Sequence, residues 1–223
     1  MAADACGLAA CISGRGDRLR ARAAGERLAA LAAGLGGDPV SLLSRGEGVE
    51  AFRHYPAGDV YDLSSHAQFY YHCHRDGEFG HIHLFQRPRG MARGLVPAVA
   101  TADADAPCHL IAVGFGERGQ VVELFTTNRW VTGEAWYRAE AVKTMVAGLR
   151  LAPAGPLAPV AEWLAALVAF YRPLIEVLID ERDLAVEAWR QAHPGGDELS
   201  DGRLEITSAR AIDPVLDLAD LTP

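Results

Sequence analysis

At 223 residues, half of them hydrophobic and 22% charged, the chain is long enough for one sizeable core and too apolar for extended disorder. A net charge of −8 with no basic stripe argues against nucleic acid or an anionic membrane as partner. No stretch is long and apolar enough to span a bilayer, residues 1–11 lack the pattern of a signal peptide, and the four scattered cysteines, Cys6, Cys11, Cys73 and Cys108, suit a reducing compartment, so the expected location is cytoplasmic.

In chain order, residues 1–16 read as a flexible lead to a single domain. Asp17 can cap a helix through Leu19, Ala23, Leu28 and Leu31, which Gly34, Gly36 and Gly37 end. A shorter helix from about Ser41 to Arg53 completes an N-terminal helical region over 17–53. His54 to Asp62, with Pro56 and Gly58, reads as an ordered turn carrying Asp59 and Asp62.

Residues 54–134 form the expected sheet region, and six of the eight histidines lie between His54 and His83. Ala67 to His74 and His81 to Phe85 are rich in aromatic and β-favouring residues, and the glycine-containing segment between them predicts a hairpin. Alternation puts Gln68, Tyr70, His72 and His74 on one face and Phe69, Tyr71 and Cys73 on the other. A symmetric loop pairs His74 with His81 and His72 with His83, gathering four imidazoles on one side of the sheet. Arg87 to Asp105 reads as a long connection that folds over the hairpin as a lid. His109 to Phe115 and Gln120 to Thr126 bracket Gly116-Glu-Arg-Gly119 as a second hairpin.

Arg138 to Leu149 shows helical spacing, as does Val160 to Ala192, where Pro173 is expected to kink or divide the helix. These two lie in a helical region over 135–200. The tail over 201–223 adds a short strand at Leu204-Glu-Ile-Thr207. The fold class is therefore α+β: an antiparallel sheet of about four or more strands with the N-terminal and C-terminal helices packed on one face.

The histidine face is the candidate site. His72, His74, His81 and His83, with a carboxylate from Asp59, Asp62 or Glu78, suit a divalent iron, zinc or manganese ion. His72-Cys-His74 followed by Glu78 matches the HxHxxxE core of the cupin ligand motif, but the last third of this chain reads as helical, unlike a jelly roll. Noncovalent haem is the alternative, with one histidine as axial ligand and Tyr70 and Phe85 against the macrocycle. Leu124 to Glu134 follows a strand, and Arg129, with Asn128 beside it and Tyr70 from the hairpin, is a candidate anchor for a small-molecule ligand. The plainer reading makes Asn128 a cap and puts Arg129 in an internal ion pair. A noncatalytic metal-binding or haem-binding module and a histidine-rich interaction surface stand as rivals to an enzyme.

The segments His54-Tyr-Pro-Ala-Gly-Asp-Val-Tyr-Asp62, Gln68-Phe-Tyr-Tyr-His-Cys-His74, Gly80-His-Ile-His83 and Leu124 to Glu134 resemble a family of bacterial proteins defined only as a domain of unknown function. The resemblance covers most of the chain after residue 50. It implies a shared histidine-centred domain and no particular reaction.

Overall fold

The computed structural model describes residues 7–74 and 79–222. Six strands follow one another across an antiparallel sheet in chain order: β1 (Tyr55–Tyr61), β2 (Ala67–His72), β3 (His81–Gln86), β4 (Cys108–Phe115), β5 (Val121–Thr127) and β6 (Ile206–Ala211). Their helical partners are α1 (Arg15–Gly34), α2 (Pro39–Ser44), α3 (Arg129–Thr132), α4 (Ala139–Gly148), α5 (Ala158–Ala192) and α6 (Pro214–Asp220).

The two faces of the sheet have different chemistry. Phe69, Tyr71, Ile82, Leu84, Ile111, Val113 and Leu124 join Leu164, Leu167, Phe170 and Leu174 of α5 in one apolar core, to which α1 adds Leu28 and α4 adds Val142 and Met145. Burial of this face stabilises the fold at about 25 cal/mol per Å² of apolar surface removed from water. The opposite face carries Tyr70, His72, His83, Phe85, His109 and Phe125, all buried but outside that cluster. The sheet therefore holds the histidines behind a rigid apolar layer, as the α+β expectation requires.

Several local expectations are corrected. The helix expected over Ser41 to Arg53 stops at Ser44, because Arg45 and Gly46 take left-handed conformations (φ 56° and 72°). His54 to Asp62 contains strand β1 and not simply a turn. Between Tyr55, which faces Tyr71, and Val60, which faces Phe69, an irregularity absorbs the extra residues, with Gly58 and Asp59 at positive φ.

Pro173 does not divide α5, which runs unbroken for 35 residues. The carbonyl that loses its helical partner there belongs to Ala169, an exposed residue, while Phe170, Tyr171 and Leu174 stay packed on the core. The last strand begins at Ile206, later than the expected Leu204. It pairs with β5 and closes that side of the sheet.

The connection after β3 is tied down along its length. Arg87 Nε donates to Gln68 Oε1 at 2.7 Å and its Nη1 to Asp105 Oδ2 at 3.1 Å, while Val99 bridges to Trp136. Met91 and Leu95 pack against the helix-side core. Among the described residues, no helix is long and apolar enough to cross a membrane.

Candidate metal centre

The hairpin register decides which imidazoles meet. His72 faces His81 and Tyr70 faces His83, so the strands are offset by two positions from the symmetric pairing expected. Gly80 permits this closure, because a Cβ there would stand 2.0 Å from the His72 carbonyl oxygen. A slip of two residues preserves which face each side chain occupies, whereas a slip of one would have reversed it. His74 lies two residues beyond the end of β2, yet its ring centroid remains 4.9 Å from that of His72 and 5.2 Å from that of His81.

Three nitrogens converge. His81 Nε2 lies 2.8 Å from His72 Nε2 and 3.0 Å from His83 Nε2, and one ligand atom from each residue falls within 4.8 Å of the others. Nitrogens bound at about 2.0–2.1 Å to one ion, at angles between a right angle and the tetrahedral value, lie roughly 2.8–3.4 Å apart. The two short distances sit at the right-angle end of that range. The three imidazoles are therefore spaced as a group that could hold an ion.

Proton bookkeeping points the same way. A neutral imidazole nitrogen is either a donor or an acceptor. His81 Nε2 thus has one proton or one lone pair to share between two neighbours, and neither choice satisfies both fully. A cation accepting all three lone pairs would remove the conflict and leave each proton on Nδ1, so that His83 Nδ1 would donate to His109 Nε2, which lies 2.9 Å away, while His109 Nδ1 faces Thr127 Oγ1 at 3.4 Å.

The rings are neutral at ordinary pH. Burial, reinforced by neighbouring imidazoles, holds His72 down to about 4 and His81 to about 3, and drives His83 well below its usual value. Burial likewise lowers His109 to about 3, with the Arg182 charge adding to it. Unprotonated imidazoles are the form that binds metals.

The two described carboxylate candidates, Asp59 and Asp62, have other partners. Asp59 Oδ1 contacts His54 Nδ1 at 2.9 Å and Oδ2 accepts from Gln68 Nε2 at 2.5 Å. His54 in turn stacks on Tyr70 at 3.7 Å and meets His72 edge-on at 5.6 Å, so Asp59 stands one layer behind the three nitrogens. Asp62 is on the helix side, where Ser64, Ser65 and Ala152 occupy its oxygens. Glu78 falls outside the described residues.

The ligand-anchor candidates separate too. Tyr70 forms a wall of the site, its ring 5.3 Å from His72 and 5.6 Å from both His83 and Phe85, and burial pushes its hydroxyl pKa up. Asn128 caps α3 by accepting from Arg129 N, and its amide donates to the Glu198 carbonyl. Arg129 Nη2 donates to Ser200 Oγ at 3.3 Å, and this side chain does not line the cavity beside the histidines.

That cavity, of about 220 Å³, is bounded by His81, His83, Gly114, Glu123, Phe125 and Thr127 with their neighbours. A larger cavity of about 540 Å³ between α1, α5 and α6 contains no imidazole and lies on the helix side. Of the two, only the smaller is lined by imidazoles.

His109 was missed by the sequence reading. In a regular β4, His109 would share a face with Ile111 and Val113. A register shift between Leu84 and Phe85 instead sets His109 opposite Phe85, on the histidine side. The one visible hint is a lone histidine opening an apolar strand. Behind it, the His109 backbone N–H donates to Glu134, whose carboxyl burial pushes up to about 8 against the pull of Arg182.

The family model described as "Domain of unknown function (DUF6969)" matches residues 20–212. The chain belongs to this family. All the histidines of the cluster and the whole sheet fall inside the matched span. No curated protein and no solved structure matches the chain.

Proposed function

We propose that the chain is a histidine-ligated metalloprotein that binds one divalent transition-metal ion through Nε2 of His72, His81 and His83 and acts on a small molecule in the adjoining cavity. The convergence of three neutral imidazole nitrogens carries this reading. Three protein ligands with open positions are typical of catalytic zinc sites, whereas structural zinc sites are closed by four. Nitrogen donors of this kind suit zinc and iron, with manganese less favoured in the absence of a described carboxylate among the three. When bound, such an ion supplies Lewis acidity or a water acidified to a pKa of about 7.

The chain's own residues have separate tasks. His109 holds the ring of His83 through Nδ1, Thr127 orients His109, and Tyr70, Phe85 and Phe125 exclude water from the inner side. The haem alternative is less well supported. Three nitrogens aimed at one point differ from a single axial imidazole over a flat slot, and the cavity is smaller than the roughly 300–1,000 Å³ usual for drug-sized ligands. A cytoplasmic location fits the four scattered cysteines, Cys6, Cys11, Cys73 and Cys108.

The test is reconstitution of untagged protein with cobalt(II), zinc, iron(II) and manganese, followed by elemental analysis. One equivalent of at least one metal per chain is expected, with d–d absorption bands for cobalt. Less than a tenth of an equivalent of every metal overturns the reading. His109→Leu should cost roughly 10–100-fold in metal affinity by competition titration, the range for groups that orient a ligand from behind. An unchanged affinity would remove His109 from the site.

A further inference from the structure

The cavity beside the three nitrogens has an uneven charge. Glu123 and Glu205 are among its walls, and none of its described walls is a lysine or arginine. Glu205 stands exposed at the rim, whereas Glu123 is half-buried. Burial raises the Glu123 carboxyl above its usual range, and no cation among the described residues offsets the cost of its charge.

Sheet register fixes where that carboxylate stands. His72, His81, Gly114 and Glu123 occupy successive positions in one row across β2, β3, β4 and β5. The row has a gap at Gly114, where a Cβ would lie 3.4 Å from Glu123 Cβ and 3.8 Å from its Oε2. The missing side chain leaves His81 and Glu123 as the two ends of one space. Phe125 flanks it, its ring 5.2 Å from that of His81. At about 30 Å³ per water molecule, 220 Å³ is room for roughly seven waters, and hence for a ligand of only a few heavy atoms.

We propose that this space takes a small molecule bearing a protonated amine, which pairs with Glu123 while the other end of the molecule reaches the ion held by His72, His81 and His83. The assignment rests on the metal site proposed above and adds the class of its ligand. An ammonium group gains a charge-assisted hydrogen bond at Glu123 and a favourable aromatic face at Phe125. A carboxylate or phosphate in the same place meets like charge and no described cation.

The experiment uses cobalt(II)-loaded protein and two thiols of similar length, cysteamine and 3-mercaptopropionate, whose far ends carry opposite charge. The thiolate-to-cobalt charge-transfer band reports binding, and cobalt content is measured in parallel. Cysteamine is expected to bind at least about tenfold more tightly, and Glu123→Gln should shrink that preference to about threefold or less. Equal binding, preference for 3-mercaptopropionate, or a preference that survives Glu123→Gln overturns the ligand assignment while one equivalent of cobalt leaves the metal site standing. Failure of the protein to load cobalt, zinc, iron or manganese overturns both.

Discussion

Replacing His81 with alanine is expected to abolish stoichiometric metal binding while leaving the fold intact. His81 Nε2 is the shared neighbour of the other two nitrogens, at 2.8 Å from His72 and 3.0 Å from His83, so its loss leaves no three-point set. The cost should exceed the roughly 10–100-fold typical of changes behind the ligands. His81 is only half-buried, and its removal opens no void in the apolar core on the helix side. A metal at one hundred times its dissociation constant stabilises the native state by about 2.7 kcal/mol. For a chain of this size that raises the melting temperature by about 5–11 °C. Wild type should show that rise with cobalt or zinc, and His81→Ala should show none. His74→Ala, which removes a nearby ring outside the converging set, should keep most of the rise. Full-affinity binding by His81→Ala, measured by competition with a coloured chelator, would sink the proposed ligand set.

The sequence made the histidine face legible because alternation along a strand depends only on parity. His72, His81 and His83 fall on one side whether the hairpin closes symmetrically or two residues away. The choice between those registers was not legible. It depends on how Gly80 meets the His72 carbonyl, a tertiary contact with no signature in spacing. His109 was hidden for a related reason, since an irregularity in pairing reverses parity along β4. Strand β1 was obscured by Pro56 and Gly58, which usually mark turns and here lie in a strand whose pairing is interrupted. Pro173 misled in the opposite direction: the packing of its neighbours on the core outweighs one lost helical hydrogen bond. Polar residues were the hardest to place. Asp59, Asp62 and Arg129 are all plausible ligands by type, and only their hydrogen-bond partners separate an outer layer, a turn and a helix end.

Asp62→Ala is expected to destabilise the fold by about 3 kcal/mol at neutral pH, mainly by stranding the backbone N–H groups of Ser64 and Ala152, at about 1–3 kcal/mol for each orphaned donor. The wild-type side chain is 2% exposed and accepts from Ser64 N and Oγ, Ser65 Oγ and Ala152 N at 2.7–2.9 Å. It joins the turn after β1 to the connection between α4 and α5, so one carboxylate links the sheet to its helical layer. The melting temperature should fall by roughly 6–12 °C. Burial favours the protonated form, but these four hydrogen bonds outweigh it and hold the carboxyl well below the usual aspartate range. A group depressed in the folded state gives its full stabilisation above its unfolded pKa of about 3.9 and loses it as pH falls towards the folded value. The stability gap between wild type and Asp62→Ala should therefore be constant from neutral pH down to about 5, and narrow progressively below about 4. Urea denaturation across that range measures it directly. A gap that stays unchanged well below pH 4 would mean that the charge on Asp62 contributes nothing, and that its packing alone holds the two layers together.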